Sequence, residues 1–592
     1  MHDEFGQSSE WVAGGPGWGR HGPPGGVPVA GVRAVWCAPG VPVRTVRVLG
    51  AGDLAVMGDC PAPEERLRAA LVAAGRGRWE ALCALPGSYW CVAELDAGGR
   101  QIVCGDLAGL RAVFHATLAD GMAWGSRAAL LAARAGSGVD VEQMTASLVV
   151  GAEHWPTATC YRHIAAVPGG SGLVWRLHTR HVTGTVNTVG DLGEAALAEG
   201  AEAVGQALRE AVAWRVATAC GELGADLSGG LDSSTAVLLA APRAPELVAV
   251  TYGGPLASAE DTATARRVAA HARVAHHVAQ ASACHFQATP PAWTESPVLA
   301  STTAALDAAY LVPAAGRRLH LTGHGGDVVL DAASAVWSDF LARGERRAAR
   351  RGLAAAARRR DAAVRPRWQH AREQAALTHP AALAAAAETV RDGRPPATSA
   401  GWSWVQLGAT ATWLTPVGRT AVAERLWQAA DAASAGDFPG VWDDWASLRA
   451  TAAECRDHHP LYTALGIQPT HPFLDNTVVR AAFAIPARHR HVEGQPKVLL
   501  PAALPELPRW LTGRSSKGSF GPMLITGMRR HRAALHRLIA AHPLVHAGLL
   551  DPALARAALD AAADGSAAGR LADVHHLLAI GLWAATRPAE VS

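Results

Sequence analysis

Ser228-Gly-Gly-Leu-Asp-Ser-Ser234 is the segment whose residue types point most directly to chemistry. It follows Gly224-Ala-Asp-Leu227 and leads into helical spacing from Ser234 to Ala240. A helix N-terminus offers unpaired N–H groups and the positive end of a dipole, so it holds anions. Gly229 and Gly230 let the backbone approach a phosphate with no Cβ in the way. Ser228, Ser233 and Ser234 add hydroxyl donors. Asp232 repels phosphate unless it holds Mg²⁺, which bridges phosphate oxygens. The GxxxxGK[ST] pattern is absent. Without a lysine to shield a γ-phosphate, cleavage between the α- and β-phosphates is the more natural use. A plain Gly-Ser turn is the bland alternative, and the strand-to-helix context argues against it.

Gly323-His-Gly-Gly-Asp327 repeats the arrangement after the apolar run Leu319 to Thr322. In a parallel sheet both glycine-rich loops lie at the carboxyl edge, where ligands bind. Asp232 and Asp327 are then expected to ligate one Mg²⁺ from two loops. Alone the second loop is a weak signal; paired with the first it is strong.

The elements that must position these loops follow from the patterning. Residues 1–27 read as a flexible Gly/Pro-rich segment. From about 29 to 185, short apolar runs alternate with turns, as in Val29 to Trp36, Ser88 to Glu94 and Gly121 to Gly125. Glu64 to Ala74 and Arg127 to Ala135 read as helices, so residues 28–190 are expected to form a mixed α/β layer domain. Residues 191–592 change character. A helix over Asp191 to Cys220 precedes the first loop, then come the strand Leu247 to Tyr252, the helix Ala259 to Arg273 and the strand Leu319 to Thr322. That order predicts a parallel sheet. Beyond about 330 the chain reads as mainly helical, and no internal repeat is visible.

Composition sets limits. The chain has 592 residues, 49% apolar and 18% charged, with a net charge of +3. This is a globular composition with no general pull toward nucleic acid or acidic membranes. No run reaches the roughly 18 apolar residues of a membrane span. Nine cysteines without a CxxC pair fit neither a zinc ribbon nor a disulfide framework, and match a reducing cytoplasm. The N-terminus lacks the apolar core of a signal peptide. Arginines crowd the stretch 343–372, including Arg346, Arg347, Arg350, Arg351 and Arg358 to Arg360. The ordinary reading is a solvated helical face; the functional one is a dock for an acidic peptide segment.

Ser228 to Ser234 resembles the pyrophosphate loop of the class B asparagine synthetase superfamily, which includes β-lactam synthetases and lasso-peptide macrolactam cyclases. Leu85-Pro-Gly-Ser-Tyr89 and Asp106-Leu-Ala-Gly-Leu-Arg111 look like the family's N-terminal glutaminase-type layer. Glu260, Asp261, Pro472-Phe-Leu-Asp475, Lys497 and Arg514-Ser-Ser-Lys517 resemble its later markers, in matching order. The resemblance implies an α/β fold: a degenerate Ntn-hydrolase-like αββα layer domain, then an ATP-pyrophosphatase-type parallel-sheet domain with extensive helices. It also implies that Leu227, Ser228, Gly229, Gly230, Asp232, Ser233, Ser234, Val250 and Gly323 bind ATP, and that Asp232 and Asp327 bind Mg²⁺. Lys497 would stabilise charge on the α-phosphate and on the tetrahedral acyl intermediate; Lys517 is equally well read as structural.

Two departures shape the expected reaction. Glutamine-dependent members need a Cys directly after the initiator Met, whereas this sequence begins Met1-His2-Asp3 and its first cysteine is Cys37. The layer domain is therefore expected not to release ammonia from glutamine. His324 stands where asparagine synthetases carry Glu and β-lactam synthetases Tyr, and in this it resembles the lasso-peptide cyclases. An imidazole can take the proton an attacking amine must lose; packing within the loop is the bland role. The expected reaction adenylates an Asp or Glu side chain of a precursor peptide, and the peptide's α-amine then closes a macrolactam. A leader-removing protease and a leader-recognition protein are the implied partners. The rivals are a β-lactam synthetase-like enzyme, ammonia-dependent asparagine synthesis, and a non-catalytic peptide- or nucleotide-binding scaffold.

Overall fold

The computed structural model describes residues 10–95, 99–176, 182–332, 334–359, 363–397, 399–491, 497–514, 518–566 and 570–587. Two six-stranded antiparallel sheets come first. One runs Ala165–Val167, Val113–Leu118, Gly121–Gly125, Val12–Gly14, Val35–Cys37, Val27–Pro28. The other runs Val182–Asn187, Ser171–Arg176, Arg100–Cys104, Ser88–Leu95, Gly52–Asp59, Val43–Val48. Their inner faces share one apolar core that includes Val12, Val113, Met122 and Trp124 from the first sheet and Met57, Trp90, Val103 and Trp175 from the second. The Trp124 and Trp175 rings lie 6.2 Å apart. Helices Ala128–Ala135 and Val141–Val150 cover the outer face of the first sheet. Glu64–Gly75 covers the second. The layers therefore run helix, sheet, sheet, helix.

The N-terminal segment differs from expectation. Residues 1–9 lie outside the described residues, but Val12–Gly14 is a buried strand inside the first sheet. Two of the segment's glycines also make room for close packing. A Cβ on Gly14 would lie 2.5 Å from the Trp124 ring, and one on Gly22 2.4 Å from Trp36. Of Val29 to Trp36, read as one strand, only Val35 and Trp36 are extended, in Val35–Cys37, which pairs with Val27–Pro28 just before the run. The intervening chain turns at Gly31 (φ +85°) and Ala34 (φ +52°).

The third sheet is parallel, in the order Ala275–Ala279, Val248–Tyr252, Leu223–Asp226, Leu319–Leu321, Pro469–Thr470. The chain builds outward on one side of Leu223–Asp226 and then crosses to the other. The topological switch therefore falls between Leu223–Asp226 and Leu319–Leu321, where such sheets open a crevice. Much of the chain beyond is helical, including Pro416–Ala432, Pro439–Ala464 and Leu571–Ala585. No described helix is long and apolar enough to cross a membrane.

Two sequence motifs far apart in the chain meet in space. Asp475 Oδ1 accepts the Gly87 N–H at 3.0 Å, and its Oδ2 accepts from Arg215 Nη1 at 3.1 Å. Asn476 Oδ1 accepts the Leu107 N–H at 2.9 Å. Arg215 and Asp475 are both buried. The Pro472-to-Asp475 motif thus ties the Leu85-to-Tyr89 turn to the helix that leads into the parallel sheet.

Candidate functional site

Both glycine-rich loops emerge at the carboxyl edge on either side of the topological switch. Helix Leu231–Ala240 opens with Gly230 at its N-cap and no side-chain cap, which leaves amide donors for an anion. Gly229 adopts φ +79° and packs so tightly that a Cβ would lie 2.2 Å from the Asp261 carbonyl oxygen. Ser233 Oγ receives the Ser228 N–H at 3.1 Å and lies 3.0 Å from Ser228 Oγ, closing the loop on itself. Ser228 is exposed and Ser233 is buried. Ser234 is fully buried, and its hydroxyl has no hydrogen-bond partner among the described residues. Leu227 and Val250 are also buried, and the Leu227 N–H donates to the Val250 carbonyl at 2.9 Å. What these two residues present at the edge is backbone.

The second loop abuts the first. A Cβ on Gly323 would lie 2.6 Å from Ser233 N, and one on Gly326 2.5 Å from Asp232 Oδ1. Only glycine permits this approach. Lys497 Nζ sits between the two acidic residues, 2.6 and 2.5 Å from the Asp232 oxygens and 2.6 Å from Asp327 Oδ1. Lys497 holds φ +52°, a conformation costly for a residue with a Cβ. Burial alone would lower its pKa, but the carboxylates of Asp232 and Asp327 more than offset that, so the ammonium stays charged above its ordinary range. Asp232 is buried, whereas the Asp327 side chain is 67% exposed and opens the cluster to solvent.

Two carboxylates thus converge on the Lys497 ammonium. Among the described residues no group of three or more His, Cys, Asp or Glu side chains is arranged to hold a metal. Mg²⁺ bound through phosphate oxygens and waters needs only one or two carboxylates. Asp232 and Asp327 therefore fit a magnesium that arrives with a nucleotide, where it would neutralise phosphate charge.

His324 is exposed at the lip of the second loop, and its ring stands edge-on to His471 at 5.9 Å. His471 is buried and shares a 2.7 Å hydrogen bond between Nδ1 and Thr322 Oγ1. Burial drives the His471 imidazole well below its usual range, and the neighbouring His324 adds to the effect, so His471 is neutral. Sequence reasoning missed His471, although it directly precedes the Pro472 motif. Arg514, taken only as a marker, donates to the Gly229 carbonyl and pairs with Asp261, bracing the first loop from behind. Lys517 lies outside the described residues.

From His471 a cavity of about 1460 Å³ runs away from the two loops, neither of which lines it, and is walled by Trp90 of the second antiparallel sheet, Arg111 of the turn after it, Glu295 and Trp442. The sequence model of the asparagine synthase family matches residues 203–585, which span both loops, His471 and Lys497. No curated protein matches the chain. Family match and site geometry agree: the chain belongs to the asparagine synthase family.

Proposed function

We propose that this member of a family of ATP-dependent ligases forming C–N bonds closes an amide within a peptide, as lasso-peptide cyclases do. The observation that carries the ligase reading is the convergence of Asp232 and Asp327 on Lys497 where the two loops touch. The Asp or Glu carboxylate of a precursor peptide attacks the α-phosphorus of ATP, giving an acyl-adenylate and pyrophosphate. The peptide's α-amine then attacks the acyl carbon and AMP leaves. Ser228, Gly229, Gly230 and Ser233 bind the pyrophosphate portion, and Lys497 faces charge developing at the α-phosphate and the acyl oxygen. His324 accepts the ammonium proton, and His471 with Thr322 holds that imidazole at the loop's edge.

Two features support a peptide over a small amino acid. A histidine occupies the second loop, and the cavity exceeds the roughly 300–1,000 Å³ of ordinary small-ligand pockets. Holding both ends of one peptide makes the second step intramolecular. In this reading residues 28–190 are a degenerate glutaminase-type, Ntn-hydrolase-like layer kept as a wall of that cavity, and residues 191–592 carry the chemistry. A leader-removing protease and a leader-recognition protein supply the substrate.

The test offers the protein ATP, Mg²⁺ and a peptide with a free N-terminus and an internal Asp or Glu, in parallel with aspartate plus ammonium. The reading expects AMP and a peptide lighter by one water. Asparagine as product, with the peptide unchanged, would overturn it.

A further inference from the structure

The arginine-rich stretch folds into two contacting helices, Arg346–Arg359 and Val364–Ala376. Residues 343–372 hold eleven arginines against Glu345 and Asp361, a net of +9 in a chain whose total is +3, so the remaining residues carry −6. The positive charge is therefore local. Ala349, Leu353 and Ala357, spaced by four, are buried. Arg346 and Arg350 form one exposed ridge, and Arg347, Arg351 and Arg358 a second beside it. Arg365 and Arg372 extend the exposed charge onto the next helix. Among the described residues none of these seven arginines pairs with a carboxylate, and Glu345 turns away toward Arg488 at 3.9 Å. Like charges at this spacing repel, so the cluster is costly unless something acidic covers it.

The two helices back onto the wall of the large cavity. Arg343 stacks on the Phe438 ring at 3.8 Å, and Phe438 caps the helix that brings Val441 and Trp442 to the cavity wall. From the second basic helix, Gln374 receives the Trp404 N–H at 3.0 Å, and His370 Nε2 lies 2.9 Å from the Trp402 carbonyl. Trp402 and Trp404 in turn pack edge-on to Trp442. The basic helices therefore buttress the outside of the wall whose inner side is the chamber.

We propose that this pair of helices docks an acidic segment of the polypeptide whose reactive part lies in the cavity. The first helix, 14 residues long, spans about 21 Å, the length of about six extended residues. Exposed guanidinium groups bind carboxylates in forked pairs. The occupant is a peptide rather than a nucleic acid: the chain's negative balance elsewhere works against a long polyanion, and the adjoining chamber suits a polypeptide. The inference rests on the peptide-ligase reading for its substrate, but its test does not require catalysis.

The experiment measures fluorescence anisotropy of fluorescein-labelled hexaglutamate on the full-length protein at low salt. Binding is expected, with weakening as salt rises. Replacing Arg346, Arg347, Arg350 and Arg351 by Gln, which keeps helix propensity, is expected to weaken it about tenfold or more with an unchanged melting temperature. Equal affinity of the variant, or binding of a single-stranded hexathymidylate as tight as that of hexaglutamate, would overturn the inference. ATP–pyrophosphate exchange with a short uncharged-flank substrate, run on the same two proteins, is expected to be equal. If exchange is absent from both while hexaglutamate binding still falls, the ligase reading fails and the dock stands.

Discussion

At the scale of single residues the site is an electrostatic arrangement that needs its middle member. Lys497 compensates two carboxylates that would otherwise face each other at close range. Lys497→Met is therefore expected to reduce substrate-dependent ATP–pyrophosphate exchange by about 10²–10³-fold, the loss typical of removing one preorganised group at a developing charge. In the proposed reaction His324 and His471 would serve the other half-reaction. Replacing His324 by Gln is expected to slow amide formation by about 10²–10⁴-fold while exchange persists, because adenylation needs no proton taken from an amine. His471→Asn is expected to move activity in the same direction through the orientation of His324. A parallel loss of exchange and amide formation in the His324 variant would assign that residue to adenylation instead.

At the scale of elements, two loops approach closely because glycine lines both. Gly229→Ala would strain a positive φ and press a Cβ against the Asp261 carbonyl. Gly326→Ala would press one against the Asp232 carboxylate. Mg²⁺-ATP is expected to raise the melting temperature of the wild-type protein, and each variant to keep its circular dichroism spectrum but lose that rise. Much of this level was legible in the sequence. The helices Glu64–Gly75, Ala128–Ala135 and Leu231–Ala240 and the strand Val248–Tyr252 stand within a few residues of where their periodicity placed them. The loops were legible because strand, glycines, polar residues and helix occur in one local order. Three features were hidden because their causes are not local. Val12–Gly14 reads as part of a flexible segment until Trp124 fills the space that Gly14 leaves. The strands Ala275–Ala279 and Pro469–Thr470 exist by pairing with neighbours. His471 carries no motif and is placed by Thr322, 149 residues earlier.

At the scale of the whole molecule, the clamp at Asp475 and a set of buried neutral histidines each make a testable contribution to stability. Asp475→Ala leaves Arg215 buried without its partner. The expected cost is about 3–5 kcal/mol in chemical denaturation. His154, His285, His379 and His542 are each buried, and burial lowers their pKa values to about 3, 4, 4 and 4. The unfolded chain binds protons near pH 6.5, where the folded chain does not. Stability is thus fully present above that pH and falls as pH drops toward 4, at about 1.4 kcal/mol per pH unit for each such histidine. A melting temperature flat from pH 6.5 to 4.5 would show that these imidazoles titrate normally. The most direct measurement concerns the cluster at the meeting of the two loops: pyrophosphate exchange into ATP by the wild-type protein, with and without Mg²⁺ and a peptide bearing an internal Asp or Glu. Exchange that requires both is the predicted result. No exchange with any carboxylate substrate, under conditions where the protein is folded, would contradict the assignment of Asp232, Asp327 and Lys497 to carboxylate activation.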